Sequence, residues 1–427
     1  MRELDKVIGY ETIKTELYRF IDIIREPEKY RALGVKIPRG ILLDGAPGIG
    51  KTLMSQCFIK ECGRKAFVIR KDRSDGEFVN HIKKTFEQAA AEEPSIILLD
   101  DVDKFANEDD AHRDAEEYVT VQACIDEFKD RDIFVIATTN SYRDLPDSLV
   151  RRGRFDKTFH MSFPRNEDAE KIISFYLKDK ALADDIDVKE IARISTGHSC
   201  ADLESVINEA GILAGFGGKE NICQEDLKEA CMHAFWGLRK LSADYPEESI
   251  RRKAIHEAGH AAMAEYFNPG CVTFISLETN FHRSDAMVLR KNDENRDDSM
   301  SSKEAEIMIS LAGKAATELI TGEVDMGARD DIGSAHDITT RLIDDVAAYD
   351  FQSWCHGEET SQLIYDRLDT VKGAEVARYY LNAKQILMKN REFLEALIDL
   401  VIEKKTVTYK DIALLREKRL GKLNRAA

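Results

Sequence analysis

The chain has 427 residues, of which 43% are hydrophobic and 33% charged, and its formal net charge is −17. This length exceeds that of a typical single core, so two or three domains are expected, and the negative charge argues against nucleic acid or an anionic membrane surface as the main partner. The eight cysteines form no C-x-x-C pair, and neither a bilayer-spanning apolar run nor a targeting segment is visible, which together predict a cytoplasmic protein with reduced thiols and no membrane segment of its own.

The first motif follows a short apolar strand predicted at Gly40–Asp44. Residues 45–52 fit the pattern G-x-x-x-x-G-K-T, and a helix is predicted directly after them, from Leu53 to Cys62. In this context backbone N–H groups surround the phosphates of a nucleotide, Lys51 reaches the β- and γ-phosphates, and Thr52 holds Mg²⁺. The predicted ATP site therefore includes Gly45, Ala46, Pro47, Gly48, Ile49, Gly50, Lys51 and Thr52.

Two further buried strands are predicted at residues 95–99 and 133–137. The first ends in Asp100 and Asp101, which is the Walker B pattern with Asp100 on the Mg²⁺ side, and the second leads to Asn140. Strands that alternate with helices imply a parallel sheet, whose ligand lies beyond the carboxyl ends of its strands. Lys51, Asp100 and Asn140 all fall at such ends, so we expect one site to collect them.

Arg151 and Arg154 lie in the sequence D-S-L-V-R-R-G-R-F-D, at residues 147–156. One interpretation is a basic surface loop. The other is a pair of arginine fingers, whose guanidinium groups reach a γ-phosphate bound by a neighbouring subunit.

The last motif is H-E-x-x-H at residues 256–260, within a predicted helix. His256 and His260 lie one turn apart on one face, so their imidazoles can share Zn²⁺, and Glu257 is near enough to take a proton from water activated by the metal. An isolated pentapeptide of this kind could equally be a solvated helix. The apolar continuation of the helix and the phosphate loop upstream favour a hydrolytic metal site.

Together these motifs resemble the FtsH family of ATP-dependent zinc metalloproteases, whose ATPase part is of the AAA+ class. The resemblance begins before the phosphate loop, where it adds Ile8 and Gly9 to the residues implied to bind nucleotide. It runs through Gly45–Thr52, Ile96–Asp101, Thr138–Asn140, Arg151–Asp156, Thr196–Leu203 and His256–His260.

This resemblance implies an α/β AAA+ module (a parallel sheet flanked by helices) with a helical lid, followed by a mainly α-helical zinc peptidase domain. The implied boundaries are 1–162 for the large nucleotide-binding subdomain, 163–241 for the lid, 242–250 for a linker and 251–427 for the peptidase domain.

The family places its third zinc ligand on the final aspartate of a G-A-x-N-D sequence, which residues 327–331 match except that Asp330 stands where the family has asparagine. Asp331 is therefore the implied ligand, with Asp330 and, less favoured, His336 as alternatives. Glu318 matches a family glutamate and would orient a ligand histidine by a hydrogen bond without binding the metal itself. The alternative is a solvated glutamate on a helix. Residues 286–289 resemble the family's edge strand beside the zinc, although a buried core strand would have the same pattern.

Three departures from the family pattern bear on activity. The ATPase sequence begins within the first ten residues, so we expect no N-terminal membrane anchor and do not expect the family's role in membrane-protein quality control. The second Walker B acid is Asp101 where the family has glutamate, and the side chain is one methylene shorter, so we expect slower ATP hydrolysis with binding preserved. Ser74 falls at or near the place of the aromatic residue with which the family grips substrate, so pulling on a folded substrate is expected to be weak.

The sequence thus predicts an ATP-dependent zinc metalloendopeptidase, with Zn²⁺ and Mg²⁺-ATP as cofactors. By resemblance it forms a homohexameric, self-compartmentalised ring that unfolds, translocates and degrades unfolded or tagged proteins. Two alternatives remain open: a chaperone-like remodeller with weak proteolysis, and a peptidase for unfolded peptides that uses nucleotide mainly for assembly.

Overall fold

The computed structural model describes residues 2–72, 75–106, 115–239, 246–280, 286–291, 298–346, 348 and 362–426. The chain forms two compact units, Met1–Ala230 and Cys231–Ala427. Ser74 and residues 242–245 of the predicted linker lie outside the described residues. The domain boundaries derived from the sequence stay predictions.

The first unit contains a five-stranded parallel sheet of order β2-β3-β4-β1-β5. Its strands are β1 (Gly40–Asp44), β2 (Lys65–Ile69), β3 (Ser95–Leu99), β4 (Ile133–Thr139) and β5 (Lys157–His160). The helices of this part are α1 (Glu11–Arg25), α2 (Pro27–Arg31), α3 (Lys51–Cys62), α4 (Asp75–Ala91), α5 (Ala115–Glu127) and α6 (Asp147–Val150).

The central strands are short apolar runs because helices cover both faces of the sheet. Along β3 every residue is buried, and successive side chains point to opposite faces. Ile97 and Leu99 join one apolar cluster with Phe78 and Phe86 of α4. Ile96 and Leu98 join another with residues of α1 and α3. The predicted α/β architecture is confirmed, and Phe78 is fully buried.

Four helices follow β5 and form the predicted lid: α7 (Asn166–Leu177), α8 (Val188–Ile194), α9 (Cys200–Phe216) and α10 (Gln224–Trp236). Ser199 caps α9, accepting a hydrogen bond from the Asp202 N–H while the Asp202 carboxylate accepts from the Ser199 N–H. This capping box fixes where α9 begins, and the helix start proves to lie beside the phosphate loop.

The second unit is mainly helical, as predicted. Its strands are β6 (Leu238–Arg239), β7 (Val272–Ser276), β8 (Thr279–Asn280), β9 (Met287–Arg290) and β10 (Thr406–Thr408). Its helices are α11 (Glu247–Phe267), α12 (Met300–Thr321), α13 (Arg329–Asp344), α14 (Gln362–Lys389), α15 (Arg391–Lys404) and α16 (Tyr409–Ala426).

Two features of this unit position the candidate site. First, α11 and α12 pack closely, since a Cβ added at Gly259 would lie 2.5 Å from the Ala316 Cβ. Second, β10, β7 and β9 form an antiparallel sheet in that order, which leaves β9 at its edge. Among the helices that the structure describes, none is long and apolar enough to cross a membrane.

Candidate active sites

The phosphate loop joins β1 to α3. Gly45 has φ +149°, and a Cβ there would lie 2.2 Å from the Met161 carbonyl oxygen, so only glycine fits. Gly50 has φ +97° and directly precedes α3. The loop therefore delivers the chain to the start of α3 in the arrangement that suits a phosphate at a helix N-terminus.

Lys51 is nearly fully buried and has three acceptors. Its Nζ donates to the carbonyl oxygens of Gly45 at 2.6 Å and Ala46 at 2.8 Å, and to Asn140 Oδ1 at 2.9 Å. Burial lowers the pKa of Lys51, while the nearby carboxylates of Asp101 and Asp103 oppose that shift. The structure thus brings Lys51 and Asn140 together. A phosphate bound here would offer its own oxygens to Lys51 Nζ in place of these oxygen acceptors.

Asp100 is 1% exposed at the end of β3. Its Oδ1 accepts a hydrogen bond from Thr138 Oγ1 at 2.8 Å, and its Oδ2 accepts from Arg70 Nε at 3.0 Å and also from Arg70 Nη2. Asp101 has φ +54°, its N–H donates to the same Thr138 hydroxyl, and its Oδ2 accepts from Lys104 Nζ at 2.6 Å. Mg²⁺ prefers oxygen ligands, so the Asp100 carboxylate and the Thr52 hydroxyl are suitable ligands for that ion.

Arg70 and Asp103 belong to this site, although the sequence reasoning did not identify them. The Asn140 N–H donates to Asp103 Oδ1 at 3.0 Å. Arg70 reaches Asp100 through the sheet: Ile69 pairs with Leu99, so the residues that follow, Arg70 and Asp100, leave the parallel sheet side by side.

Gly9, which follows Ile8, lies close to the first lid helix α7. Gly9 has φ +80°, and a Cβ there would lie 2.8 Å from Asp168 Oδ2 of α7. The start of α9 meets the phosphate loop directly, since the Ala201 N–H donates to the Gly48 carbonyl oxygen at 3.1 Å. Contact of Ile8 and Gly9 with a nucleotide stays a prediction.

The two candidate fingers differ in their surroundings. Arg154 is 6% exposed, and its Nε and Nη2 donate to the two Asp126 oxygens at 3.2 and 2.6 Å, while its Nη1 donates to the Ser148 carbonyl. The Arg151 side chain is 61% exposed and lies 3.9 Å from Asp126. A finger role stays a prediction for both residues, and the geometry favours Arg151.

In the second unit His256, His260 and Asp331 converge as the sequence anticipated. The two Nε2 atoms are 2.9 Å apart, and Asp331 Oδ2 lies 3.0 Å from the first and 3.3 Å from the second. Asp330 lines the same cavity without joining this trio, and His336 Nδ1 lies 3.3 Å from Thr340 Oγ1 of its own helix. Two imidazole nitrogens and a carboxylate oxygen that face a cavity fit a hydrolytic Zn²⁺ site, which takes three protein ligands and keeps one position open.

Gly313 of α12 makes room for the two rings. A Cβ there would lie 2.5 Å from His260 Nε2 and 2.7 Å from His256 Nε2. Any side chain would therefore displace the atoms that face the metal position.

Both histidines donate through Nδ1, so each Nε2 faces the metal position and can bind an ion once it carries no proton. His260 Nδ1 donates to the Ile309 carbonyl oxygen at 2.7 Å, whereas His256 Nδ1 donates to Asp325 Oδ2 at 2.5 Å. Asp325 is itself held by the Gly327 N–H at 2.8 Å and the Thr317 hydroxyl at 3.2 Å. Asp325 thus occupies the orienting position that the resemblance assigned to Glu318.

The role implied for Glu318 is corrected by this geometry. Glu318 accepts a hydrogen bond from Tyr380 and lies 3.1 Å from Lys384 Nζ. Its polar partners among the described residues are therefore on α14 and along α12, not on α11. The sequence reasoning missed Asp325, because it sits in the short segment between α12 and α13 and lies 69 residues from His256 along the chain.

The histidines His256 and His260 stabilise the negative charge of Asp331. Burial raises the pKa of Asp331, but its hydrogen bonds with His256 and His260 outweigh this and hold the pKa well below its usual range. Burial also raises the pKa of Glu257. A carboxylate with a raised pKa is suited to accept a proton and give it up again.

The cavity beside the trio has a volume of about 810 Å³. Its walls include Glu257 and the β9 residues Met287 and Val288. An edge strand and a candidate metal group therefore share one cavity.

Known proteins resemble the chain over nearly its whole length. Three families match it: the ATPase family associated with various cellular activities (AAA) over residues 41–163, the AAA+ lid domain over 185–235, and peptidase family M41 over 245–415. Thermoanaerobacter sp. (strain X514) has an ATP-dependent zinc metalloprotease FtsH 2 that is 28% identical over 435 residues, covering 96% of this chain and 82% of the relative.

Two further relatives are similar. The ATP-dependent zinc metalloprotease FtsH 1 of Thermomicrobium roseum is 30% identical over 443 residues, covering 96% of this chain and 67% of the relative. The ATP-dependent zinc metalloprotease FtsH of Mycoplasma mobile is 29% identical over 435 residues, covering 95% and 62%. The chain thus spans between 62% and 82% of the length of these three relatives.

Proposed function

Given that the chain belongs to the FtsH family of ATP-dependent zinc metalloproteases, we propose that it uses ATP to deliver unfolded or tagged proteins to its zinc site and hydrolyses them there. The observation that carries this proposal is the convergence of His256, His260 and Asp331 in one cavity with Glu257 and β9. The presence of AAA and M41 parts in the same chain supports ATP-driven proteolysis.

At the zinc site each side chain has a distinct role. His256, His260 and Asp331 would hold the ion, and Asp325 and the Ile309 carbonyl keep the two rings oriented. When bound, Zn²⁺ supplies a Lewis acid for hydrolysis of the peptide bond. Glu257 accepts a proton from the attacking water and passes it to the leaving amine.

Substrate is proposed to bind as an added strand. An extended peptide would pair with β9 on the side away from β7 through backbone hydrogen bonds, while its side chains reach the cavity. Because backbone groups are common to all residues, this binding mode gives cleavage with little sequence preference.

At the nucleotide site Lys51 and Thr52 are proposed to bind the phosphates and Mg²⁺, with Asp100 on the metal side and Asn140 near the γ-phosphate. Ile8 and Gly9 are proposed to border the nucleotide on the lid side. Arg151 is the favoured arginine finger in trans, because it is exposed whereas Arg154 is bound within its own subunit.

We further propose a homohexameric ring in the cytoplasm that does not act on nucleic acid. A finger in trans needs a neighbouring subunit, and a closed ring supplies one to every nucleotide site. The seven cysteines among the described residues are all free thiols, which suits a reducing compartment.

A peptidase that acts on unfolded peptides and uses nucleotide mainly for assembly is the second candidate function. It is favoured by the shortened Walker B acid Asp101, since a misplaced carboxylate slows hydrolysis without abolishing binding. Cleavage of an unfolded protein that persists without ATP would support it. A remodeller with weak proteolysis, the third candidate, predicts ATP hydrolysis without cleavage.

Glu257→Gln tests the proposed peptidase directly, because it removes the base and keeps the shape. Hydrolysis of an unfolded protein such as casein, with zinc and ATP supplied, is expected to fall by about a hundredfold or more. The zinc content of the variant is measured in parallel and should equal that of the wild type. Cleavage at the wild-type rate by a zinc-loaded Glu257→Gln protein would contradict the proposal.

A further inference from the structure

Arg70 forms an ion pair with Asp100, the first Walker B carboxylate. Arg70 Nε lies 3.0 Å from Asp100 Oδ2, and its Nη2 donates to the same oxygen. The other oxygen of Asp100 is taken by the Thr138 hydroxyl at 2.8 Å. Both oxygens of the carboxylate assigned to the Mg²⁺ side are therefore engaged within the chain.

The two partners of this ion pair have unequal freedom. Asp100 is nearly fully buried at the end of β3, whereas the Arg70 side chain is 57% exposed. Arg70 leaves β2 beside Asp100, and a rotation of its long side chain is enough to move the guanidinium into solvent. The carboxylate stays in place and the arginine is the group able to leave.

The next residue reinforces this arrangement. Lys71 Nζ lies 3.7 Å from Oε1 of Glu117, a carboxylate that is 2% exposed on α5. Two consecutive cations at the end of β2 thus each face a buried acid. Of the two cations, Arg70 has the more exposed side chain.

We propose that Arg70 competes with Mg²⁺ for Asp100, so that binding of Mg²⁺-ATP requires the guanidinium to leave the carboxylate. A divalent ion and a guanidinium cannot both use Oδ2, and the cost of breaking the ion pair is subtracted from the affinity for Mg²⁺-ATP. Arg70 is therefore a residue that sets how tightly the metal–nucleotide complex binds. This inference rests on the proposed ATPase function of the site.

The direction in which the affinity for Mg²⁺-ATP changes when Arg70 is replaced distinguishes competition from a simple charge effect. Removal of a positive charge near a triphosphate normally weakens nucleotide binding. Competition predicts the opposite in the presence of Mg²⁺, because loss of the guanidinium frees Asp100. For an ion pair with one exposed partner, we expect Arg70→Gln to tighten binding of Mg²⁺-ATP by about two- to tenfold.

The experiment titrates the purified full chain with a fluorescent ATP analogue, once with saturating Mg²⁺ and once with a chelator. Arg70→Gln should bind the Mg²⁺ complex more tightly than the wild type, and Arg70→Lys, which keeps the charge but not the forked donors, should lie between them. Lys65→Gln removes a cation from the opposite end of β2, where Lys65 pairs with Glu92, and should leave both affinities unchanged.

The outcomes are distinct. Unchanged or weaker binding of the Mg²⁺ complex by Arg70→Gln overturns the inference and leaves the proposed function standing. An equal gain in Lys65→Gln also overturns it, since the effect would then be a general one of charge. Absence of analogue binding by the wild-type chain overturns both the inference and the proposed nucleotide role.

Discussion

At the scale of single residues, the ring nitrogens that face away from the zinc position have unlike partners. His260 donates to a backbone carbonyl, whereas His256 donates to the carboxylate of Asp325. A carboxylate partner increases the electron density of the imidazole and fixes its orientation, so the ring becomes a better metal ligand.

We therefore predict that Asp325→Asn lowers the zinc affinity of the protein by about 10- to 100-fold. Competition with a chelating dye measures this affinity without reference to activity. Glu318→Gln is the matched control, since it neutralises a carboxylate that bonds Tyr380 and Lys384, and it should bind zinc like the wild type. A loss of equal size in both variants would restore Glu318 as the orienting residue.

In the zinc-free protein, the stability of the folded state is expected to depend on pH through His256. Burial lowers the pKa of His256, but the hydrogen bond to Asp331 and the charges of Glu257 and Asp325 raise it overall, from 6.5 to about 9. A group whose pKa is raised on folding stabilises the folded state fully below its unfolded pKa, and that contribution disappears as the pH rises through the folded pKa.

After removal of zinc with a chelator, the melting temperature is therefore expected to fall as the pH rises from 6.5 to about 9. Calorimetry of the wild type and of His256→Gln isolates the effect, because the variant lacks this proton while groups remote from the site titrate equally in both. Parallel pH profiles for the two proteins would show that His256 does not hold the proton.

The sequence alone was sufficient to predict most of the candidate site residues, but not the side chains that form hydrogen bonds with them. The phosphate loop and H-E-x-x-H could be recognised because each motif is contiguous and its chemistry depends on local spacing. Asp325 and Arg70 act through contacts made by the tertiary fold, so no local pattern marks them. Glu318 was misassigned because a match of position does not specify which neighbour a helical side chain faces.

At the scale of helices and strands, local patterns were sufficient for the sheet. The strands predicted at residues 40–44 and 95–99 have those limits, while the strand predicted at 133–137 extends to Thr139. The helix predicted from Leu53 begins at Lys51, because Gly50 turns the chain and the next residues are already helical. The close packing of α11 on α12 was not predictable, since it depends on Gly259 meeting Ala316 from a distant segment.

The turn after α6 places the two arginines in different environments. Arg154→Ala would leave Asp126 and the Ser148 carbonyl without their donor, and we expect the free energy of unfolding to fall by about 1–3 kcal/mol. Arg151→Ala removes an exposed side chain, so stability should change by less than about 0.5 kcal/mol while ATP hydrolysis is lost. Urea unfolding and phosphate release measure the two quantities. Full ATPase activity in a stable Arg151→Ala protein would exclude it as the finger.

At the scale of the whole molecule, the chain joins a nucleotide-binding unit to a unit that holds a candidate zinc site. We propose that the first unit serves the second, so that ATP is needed to deliver protein substrates but not to cut a peptide bond. Long unfolded chains and short peptides differ in the need for delivery, and we expect the same zinc site to cleave both.

The most direct test measures degradation of unfolded casein and of a short unstructured peptide by the wild type and by Lys51→Ala, with and without ATP and with zinc content matched. We expect casein degradation to require ATP and to fall to background in Lys51→Ala, whereas peptide cleavage should be the same in both proteins. Casein degradation by Lys51→Ala, or by the wild type without ATP, at the full wild-type rate would contradict it.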